Sequence, residues 1–143
     1  QNAFGVIKYV DSHRGLVKIT NNFESENMVL AALPIVGRLY VHRLIQPIID
    51  AVLGSLEHVE EALKYIRVLQ CFNPRHMWND PSKPLSYHSW GIAFDLNPSE
   101  NQPGTDGTIP QVVSNAFAKH GFVWGRSFKH KDPMHFQYVI DSV

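Results

Sequence analysis

The sequence is organised around residues 86–96, SYHSWGIAFDL, a segment typical of a loop that runs into a β-strand. In the predicted strand, large apolar residues alternate with Gly91, Ala93 and Asp95, so Asp95 shares its face with small neighbours. A carboxylate in mid-strand is costly to bury unless a partner neutralises its charge. The small neighbours leave room for a ligand or ion, and a metal ion shared with His88 is the cheapest partner available.

A second segment near the C-terminus, residues 131–139 (KDPMHFQYV), is again typical of a loop that leads into a strand. It supplies His135 as a third candidate ligand beside His88 and Asp95. Two histidines and one carboxylate form a known catalytic zinc set, in which the fourth position is left open for water. Asp132 stands three residues before His135, close enough to reach a water at the metal without being a ligand.

Each of these residues also has a purely structural interpretation. His88 and Asp95 could be a hydrogen-bonded pair that holds a loop, and His135 could be an ordinary strand histidine. Three candidate ligands at the mouths of strands, with Asp132 beside one of them, together favour a catalytic metal site. Arg75 stays open between a surface loop arginine and a guanidinium fork aimed at a substrate carboxylate or carbonyl oxygen.

Length and composition limit the class of protein. The 143 residues predict one domain, residues 1–143, and a monomer is expected. Lysine plus arginine (13) balance aspartate plus glutamate (13), which argues against nucleic acid or an anionic membrane as the main partner. No apolar run approaches the ~20 residues of a membrane span. A lone cysteine, Cys71, excludes internal disulfides and CxxC-type zinc sites.

The start of the chain shows no signal peptide, because residues 1–5 carry no basic and apolar leader. The missing initiator Met is compatible with a leader that has been removed. Residues 1–20 predict a hairpin or extended arm without chemistry, and residues 1–35 are assigned to this N-terminal arm.

Helical spacing of apolar residues predicts a helix over residues 41–53, which Pro47 either kinks or opens at its first turn. A break at Gly54 and Ser55 precedes a second predicted helix over residues 56–63, with Ser55 as its N-cap. Two histidines fall in these helices and are predicted to be ordinary helix-surface residues: His42 and His58.

Residues 65–72 predict a central strand, residues 110–119 a helix that ends at Gly121, and residues 122–125 a short strand. Residues 97–107 contain too many glycines and prolines to form a helix or strand, and this loop is expected to form a wall of a substrate groove. The pattern predicts an α+β fold, in which a small antiparallel sheet carries the metal site and helices pack on its other face.

The ordered motifs resemble those of a known family. S-x-H-x-x-G-x-A-x-D over residues 86–95, then D-x-x-H over residues 132–135, with Trp124-Gly125 just upstream, resembles the zinc D-alanyl-D-alanine carboxypeptidases and L-alanyl-D-glutamate endopeptidases. These include the VanY-like vancomycin-resistance carboxypeptidases and several phage endolysins, and they share the hedgehog/DD-peptidase fold. The resemblance spans residues 40–139, which would be the catalytic core.

This resemblance implies a role for each matching residue. His88, Asp95 and His135 would be the zinc ligands. Asp132 would be the general base, and Arg75 would bind substrate and stabilise the developing oxyanion. Two further residues would contact substrate: Ser86 and Trp124. Two departures from the family pattern, Arg126 and Gln137, are expected to leave the ligand set untouched and to alter substrate preference.

The predicted function is therefore zinc-dependent hydrolysis of a peptide bond in the peptide stem of bacterial peptidoglycan. Either the terminal D-Ala or the L-Ala–D-Glu bond could be the target. The alternative is a cell-wall or ligand-binding module with a non-catalytic zinc, and Asp132 beside a three-ligand set argues against it. A zinc hydrolase of another amide is a further alternative. Action at the cell wall is expected, by a secreted, periplasmic or phage-delivered protein.

Overall fold

The computed structural model describes residues 2–139, and its N-terminal part consists of two antiparallel hairpins. The first pairs β1 (Tyr9–Asp11) with β2 (Val17–Ile19), and the second pairs β3 (Met28–Leu33) with β4 (Gly37–His42). A short helix, α1 (Phe23–Asn27), lies between the hairpins. The hairpin predicted for residues 1–20 is confirmed.

The helical region differs from the prediction at both ends. Helix α2 is Gln46–Leu56, and Val41 and His42 belong to β4. Pro47 lies in the first turn, where its missing N–H is not needed. The helix continues through Ser55, whose hydroxyl donates to the Val52 carbonyl at 2.6 Å and does not cap a new helix.

The second predicted helix is also misplaced. Helix α3 is Glu60–Tyr65 and follows Val59, so the predicted bounds 56–63 are wrong. His58 is exposed, as expected, but lies in the turn between α2 and α3.

A four-stranded antiparallel sheet forms the C-terminal half, in the order β5 (Leu69–Gln70), β6 (Ala93–Leu96), β8 (His135–Tyr138), β7 (Phe122–Trp124). The prediction of a central strand over residues 65–72 is wrong, because β5 has two residues and lies at the edge. The side chain of Asn97 accepts hydrogen bonds from the backbone amides of Arg67 and Val68 at 3.1 and 2.9 Å. Those donors are therefore taken by a side chain and are not available to a strand ladder.

The pairing of β6 with β8 separates an apolar face from a polar one. Phe94 pairs with Phe136, and Phe136 stacks on Phe117 of helix α4 (Gln111–Lys119) at 4.1 Å between ring centroids. Asp95 pairs with His135 on the opposite face. The α+β prediction is confirmed as helices and small antiparallel sheets. No helix in the described part of the chain is long and apolar enough to cross a membrane.

Candidate metal centre

The register of the sheet and one short turn bring three candidate ligands together. Asp95 and His135 are directly opposite each other on β6 and β8, and Asp95 Oδ1 is 3.3 Å from His135 Nδ1. His88 lies in the 3-10 turn Tyr87–Trp90 before β6, with its Nε2 3.1 Å from the same carboxylate oxygen. One ligand atom from each residue lies within 4.8 Å of the others. These are the three residues that the sequence predicted as ligands, and the structure brings them together.

A backbone carbonyl fixes the tautomer of His88. Its Nδ1 is 2.7 Å from the Cys71 carbonyl oxygen, which can only accept, so Nδ1 carries the proton. The other nitrogen, Nε2, then presents a lone pair towards Asp95. His88 is 2% exposed, and Nε2 has no hydrogen-bond partner within residues 2–139, since its contact with Asp95 lacks hydrogen-bond geometry. A buried acceptor of this kind is costly unless a hydrogen-bond donor or a cation satisfies it.

His135 is oriented in a similar way. Its Nε2 donates to Gln137 Oε1 at 2.8 Å, which leaves Nδ1 facing Asp95. Gln137 was expected to leave the ligand set untouched, and that expectation is wrong. Residue 137 is two positions along the same strand, so its side chain emerges on the face of His135. Such outer partners fix the ring orientation of a ligating histidine.

The electrostatics of the cluster fit a cation. Burial raises the pKa of Asp95, but the contacts with His135 and His88 lower it more. The pKa of this carboxyl therefore lies well below its usual range. Burial lowers the pKa of His135, and the hydrogen bond with Asp95 reverses this and raises it. Two imidazole nitrogens and one carboxylate oxygen are a donor set that suits zinc. The group could therefore hold a metal ion.

The space beside Asp95 is not created by Gly91 as the sequence suggested. A Cβ built on Gly91 would lie 2.5 Å from Met28 Cε and 2.9 Å from the His42 backbone nitrogen. Gly91, at φ +69°, is therefore small because the β3–β4 hairpin packs against it. His42 is also not on a helix surface. It is fully buried, and its Nε2 contacts the Phe4 carbonyl oxygen at 2.7 Å.

A cleft of about 460 Å³ opens in front of Asp95 and His135. Its walls include Arg75, Asp132 and Ser86, so the predicted general base and arginine face the same space as two of the ligands. Burial raises the pKa of Asp132, while nearby His135 partly opposes this shift. The loop before β8 is fixed by backbone bonds, from Asp132 N to Gly125 O (2.9 Å) and from His135 N to Asp132 O (3.1 Å).

Arg75 is held through its backbone by two parts of the chain. Its N–H donates to Ser89 Oγ at 3.1 Å, and that hydroxyl donates back to the Arg75 carbonyl at 3.0 Å. Leu16 of the N-terminal hairpin forms a β-bridge with Arg75. The next residue, His76, is buried and contacts Asp11 Oδ1 at 2.7 Å. The hairpin predicted to lack chemistry thus supports the segment that carries the arginine.

The two predicted substrate contacts occupy different places. Ser86 lines the cleft, and its Oγ accepts from the His88 backbone N–H at 3.2 Å, so it caps the ligand turn. Trp124 is not among the described residues that line the cleft. Its Nε1 donates to the Pro133 carbonyl at 2.6 Å and its ring stacks on Phe136, so it positions the loop before His135. The contact of Trp124 with substrate stays a prediction.

Sequence reasoning missed several residues of the site and its cleft. The Cys71 carbonyl is a backbone atom and has no sequence signal. A second group consists of apolar side chains from separate loops that line the cleft: Met77, Trp78, Tyr87, Pro103, Phe128 and Met134. Pro103 belongs to the loop over residues 97–107, which therefore reaches the cleft. Large apolar residues inside polar loops were the available signal for most of the others.

Comparison with known proteins adds one finding. A family model described as D-alanyl-D-alanine carboxypeptidase matches residues 79–138, which is less than half of the chain. The matched segment contains His88, Asp95, Asp132 and His135, whereas Arg75 lies outside it. No curated protein and no solved structure matches this chain. Over residues 79–138 the chain is similar to the D-alanyl-D-alanine carboxypeptidase family, and this similarity supports a peptidase.

Proposed function

We propose that this protein is a zinc-dependent peptidase that hydrolyses a peptide bond in the peptide stem of bacterial peptidoglycan. It would act at the cell wall as a D-alanyl-D-alanine carboxypeptidase or an L-alanyl-D-glutamate endopeptidase of the hedgehog/DD-peptidase fold. One observation carries the proposal. Two histidines and Asp95 converge beside a cleft that Asp132 and Arg75 also line. The family similarity over residues 79–138 points to the same chemistry.

The zinc would be held by His88 Nε2, His135 Nδ1 and the Asp95 carboxylate. A bound zinc ion would polarise the scissile carbonyl and lower the pKa of a coordinated water to about 7. The described residues would supply three ligands, and three protein ligands with an open position are typical of a catalytic site. A structural zinc site is normally closed by a fourth protein ligand, which makes the binding-module alternative less favourable.

The residues of the chain would divide the remaining work. The Asp132 carboxylate accepts a proton from the attacking water and later donates it to the leaving amine. The Arg75 guanidinium donates hydrogen bonds to the carbonyl oxygen as negative charge develops there. Cys71 and Gln137 keep the two imidazoles in the required orientation.

The test is mass spectrometry of purified peptidoglycan fragments after incubation with zinc-loaded protein and with chelator-stripped protein. We expect products that depend on zinc. Loss of a single D-Ala would identify a carboxypeptidase, and a stem cut after L-Ala would identify an endopeptidase. No cleavage by a protein that binds one zinc per chain would refute the proposal and favour the binding module.

Variants assign the roles in the same assay. Asp132→Asn is expected to keep its zinc and to lose roughly 10²- to 10⁴-fold in kcat, because it cannot accept the proton. Asp50→Asn, an exposed change on α2, is the matched control. His88→Ala and His135→Ala are expected to lose the metal by elemental analysis. Near wild-type turnover in Asp132→Asn, or unchanged zinc in either histidine variant, would contradict the assignment.

A further inference from the structure

A second depression adjoins the cleft and has no role in the chemistry described so far. It has a volume of about 710 Å³. We name it the basic groove and define it by six lining residues: Trp78, Lys83, Pro103, Lys129, His130 and Lys131. Trp78 and Pro103 also line the cleft, so the two spaces share a wall. A ligand that occupies the cleft can therefore continue into the basic groove.

The basic groove is positively charged in a chain whose formal net charge is zero. Three lysines and no acidic residue are among the described residues that line it. Lys131 is paired with Asp106 at 2.6 Å. Lys83 and Lys129 form no ion pair within residues 2–139, although Lys83 is near enough to Asp80 to help lower the pKa of that carboxyl. Two ammonium groups are thus available to a ligand, and an anionic one is favoured.

Trp78 stands where the cleft meets the basic groove, with 48% of its surface exposed. Its backbone is in the left-handed region (φ 55°, ψ 21°), a costly conformation for a bulky residue. Two backbone hydrogen bonds hold the start of the turn Met77–Asn79, from His76 N to Gly15 O and from Met77 N to Pro84 O, both 2.9 Å. An aromatic ring kept exposed on a strained backbone is well suited to contact a ligand.

We propose that the basic groove is a second substrate subsite, which binds a carboxylate-bearing part of the same stem peptide whose scissile bond lies in the cleft. Lys83 and Lys129 pair with the carboxylate, and Trp78 packs against the apolar part of the chain between the two sites. This inference rests on the proposed function. Glutamate in the stem supplies a free carboxylate of the required kind, and the shared wall allows one molecule to occupy both spaces.

The test compares two soluble stem fragments that keep a free C-terminus and differ only in whether their side carboxylates are free or amidated. Binding to the full chain is measured by calorimetry at low salt. An exposed lysine–carboxylate pair changes Kd about 1.5- to 5-fold. Lys83→Gln with Lys129→Gln should therefore lower the preference for the free fragment roughly five-fold. Salt of about 1 M should do the same to the wild type, since the Debye length is then about 3 Å.

Matched variants separate the subsite from general charge effects. Lys8→Gln with Lys119→Gln removes two exposed lysines outside the basic groove and should keep the preference. Trp78→Ala should weaken both fragments, and Trp78→Phe should restore binding because it keeps an aromatic ring. An unchanged preference in the Lys83/Lys129 variant, or an equal loss in the Lys8/Lys119 control, would overturn the subsite.

Hydrolysis of the same fragments distinguishes the two proposals. Lysine-dependent binding without cleavage would refute the peptidase and leave the basic groove as a carboxylate-binding site for the stem peptide. Cleavage without a lysine-dependent preference would do the reverse. A phosphodiester wall polymer that carries no stem peptide is added as competitor. If it binds more tightly than the free fragment and with the same lysine dependence, the basic groove is not a peptide subsite.

Discussion

Replacing Gln137 with leucine should weaken metal binding without removing a ligand. Gln137 Oε1 accepts the hydrogen bond from His135 Nε2 at 2.8 Å, and His135 is buried. Leucine has a similar volume and no acceptor. The imidazole of His135 is then free to rotate, which turns Nδ1 away from Asp95, or to change tautomer, which puts the proton on Nδ1.

The magnitude follows from the outer partner of a ligating histidine. Loss of such a partner costs about 10- to 100-fold in metal affinity, or about 1.4–2.7 kcal/mol. Gln137→Glu should act in the opposite direction. A hydrogen bond to a charged acceptor is roughly twice as strong as a neutral one, so this variant should bind zinc more tightly than the wild type.

The assay is competition for zinc with a chromophoric chelator, with circular dichroism to confirm that each variant is folded. Gln111→Leu, an exposed change in the first turn of α4, is the control and should bind zinc like the wild type. The reasoning is refuted if Gln137→Leu binds zinc within about two-fold of the wild type. A lower affinity in Gln137→Glu would refute it as well.

Three further changes test other parts of the structure. Arg75→Lys keeps the charge but loses the planar fork, so kcat should fall roughly 10²-fold at unchanged zinc content, as steady-state kinetics and elemental analysis would show. The hydrogen bond with Asp11 raises the pKa of His76, so this pair stabilises the fold below the ordinary histidine pKa of about 6.5 and loses its effect as pH rises through the raised value. Because the Asp11 side chain is 59% exposed, Asp11→Asn should lower the free energy of unfolding in urea by up to about 1 kcal/mol near pH 5.5 and by less near pH 8.5. An equal loss at both pH values would contradict this. Gly91→Ala should cost at least about 3 kcal/mol of unfolding free energy in the same assay. Gly37→Ala, also at positive φ but with open space around it, should cost about 1–2 kcal/mol. Equal costs would refute a steric clash at residue 91.

Local patterns in the sequence were enough to find the ligand segments. The strand around Asp95, the loop that carries Asp132 and the strand of His135 lie where alternation and turn residues placed them. The helix ending before Gly121 was also found, because it has a proline at its start and a glycine after its end. These features depend on residues close together in the chain.

The elements that were predicted wrongly depend on partners that are distant in the sequence. The strand predicted over residues 65–72 was replaced by an edge strand because Asn97, about thirty residues away, takes its backbone donors. His42 fitted a helical pattern, yet it pairs with the buried Phe4 carbonyl from a strand. Local propensity gave no indication of either contact.

The sequence by itself determined which side chains could take part in the chemistry: two histidines, two aspartates and one arginine. It also placed them where loops meet strands. Only the tertiary structure decided their geometry. The β6–β8 register places Asp95 opposite His135, and the Cys71 carbonyl fixes the tautomer of His88. The meeting of loops around Trp78 joins the cleft to the basic groove. The strand register, the carbonyl contact and the packing of the loops all depend on contacts between distant parts of the chain. Such contacts have no local sequence signal.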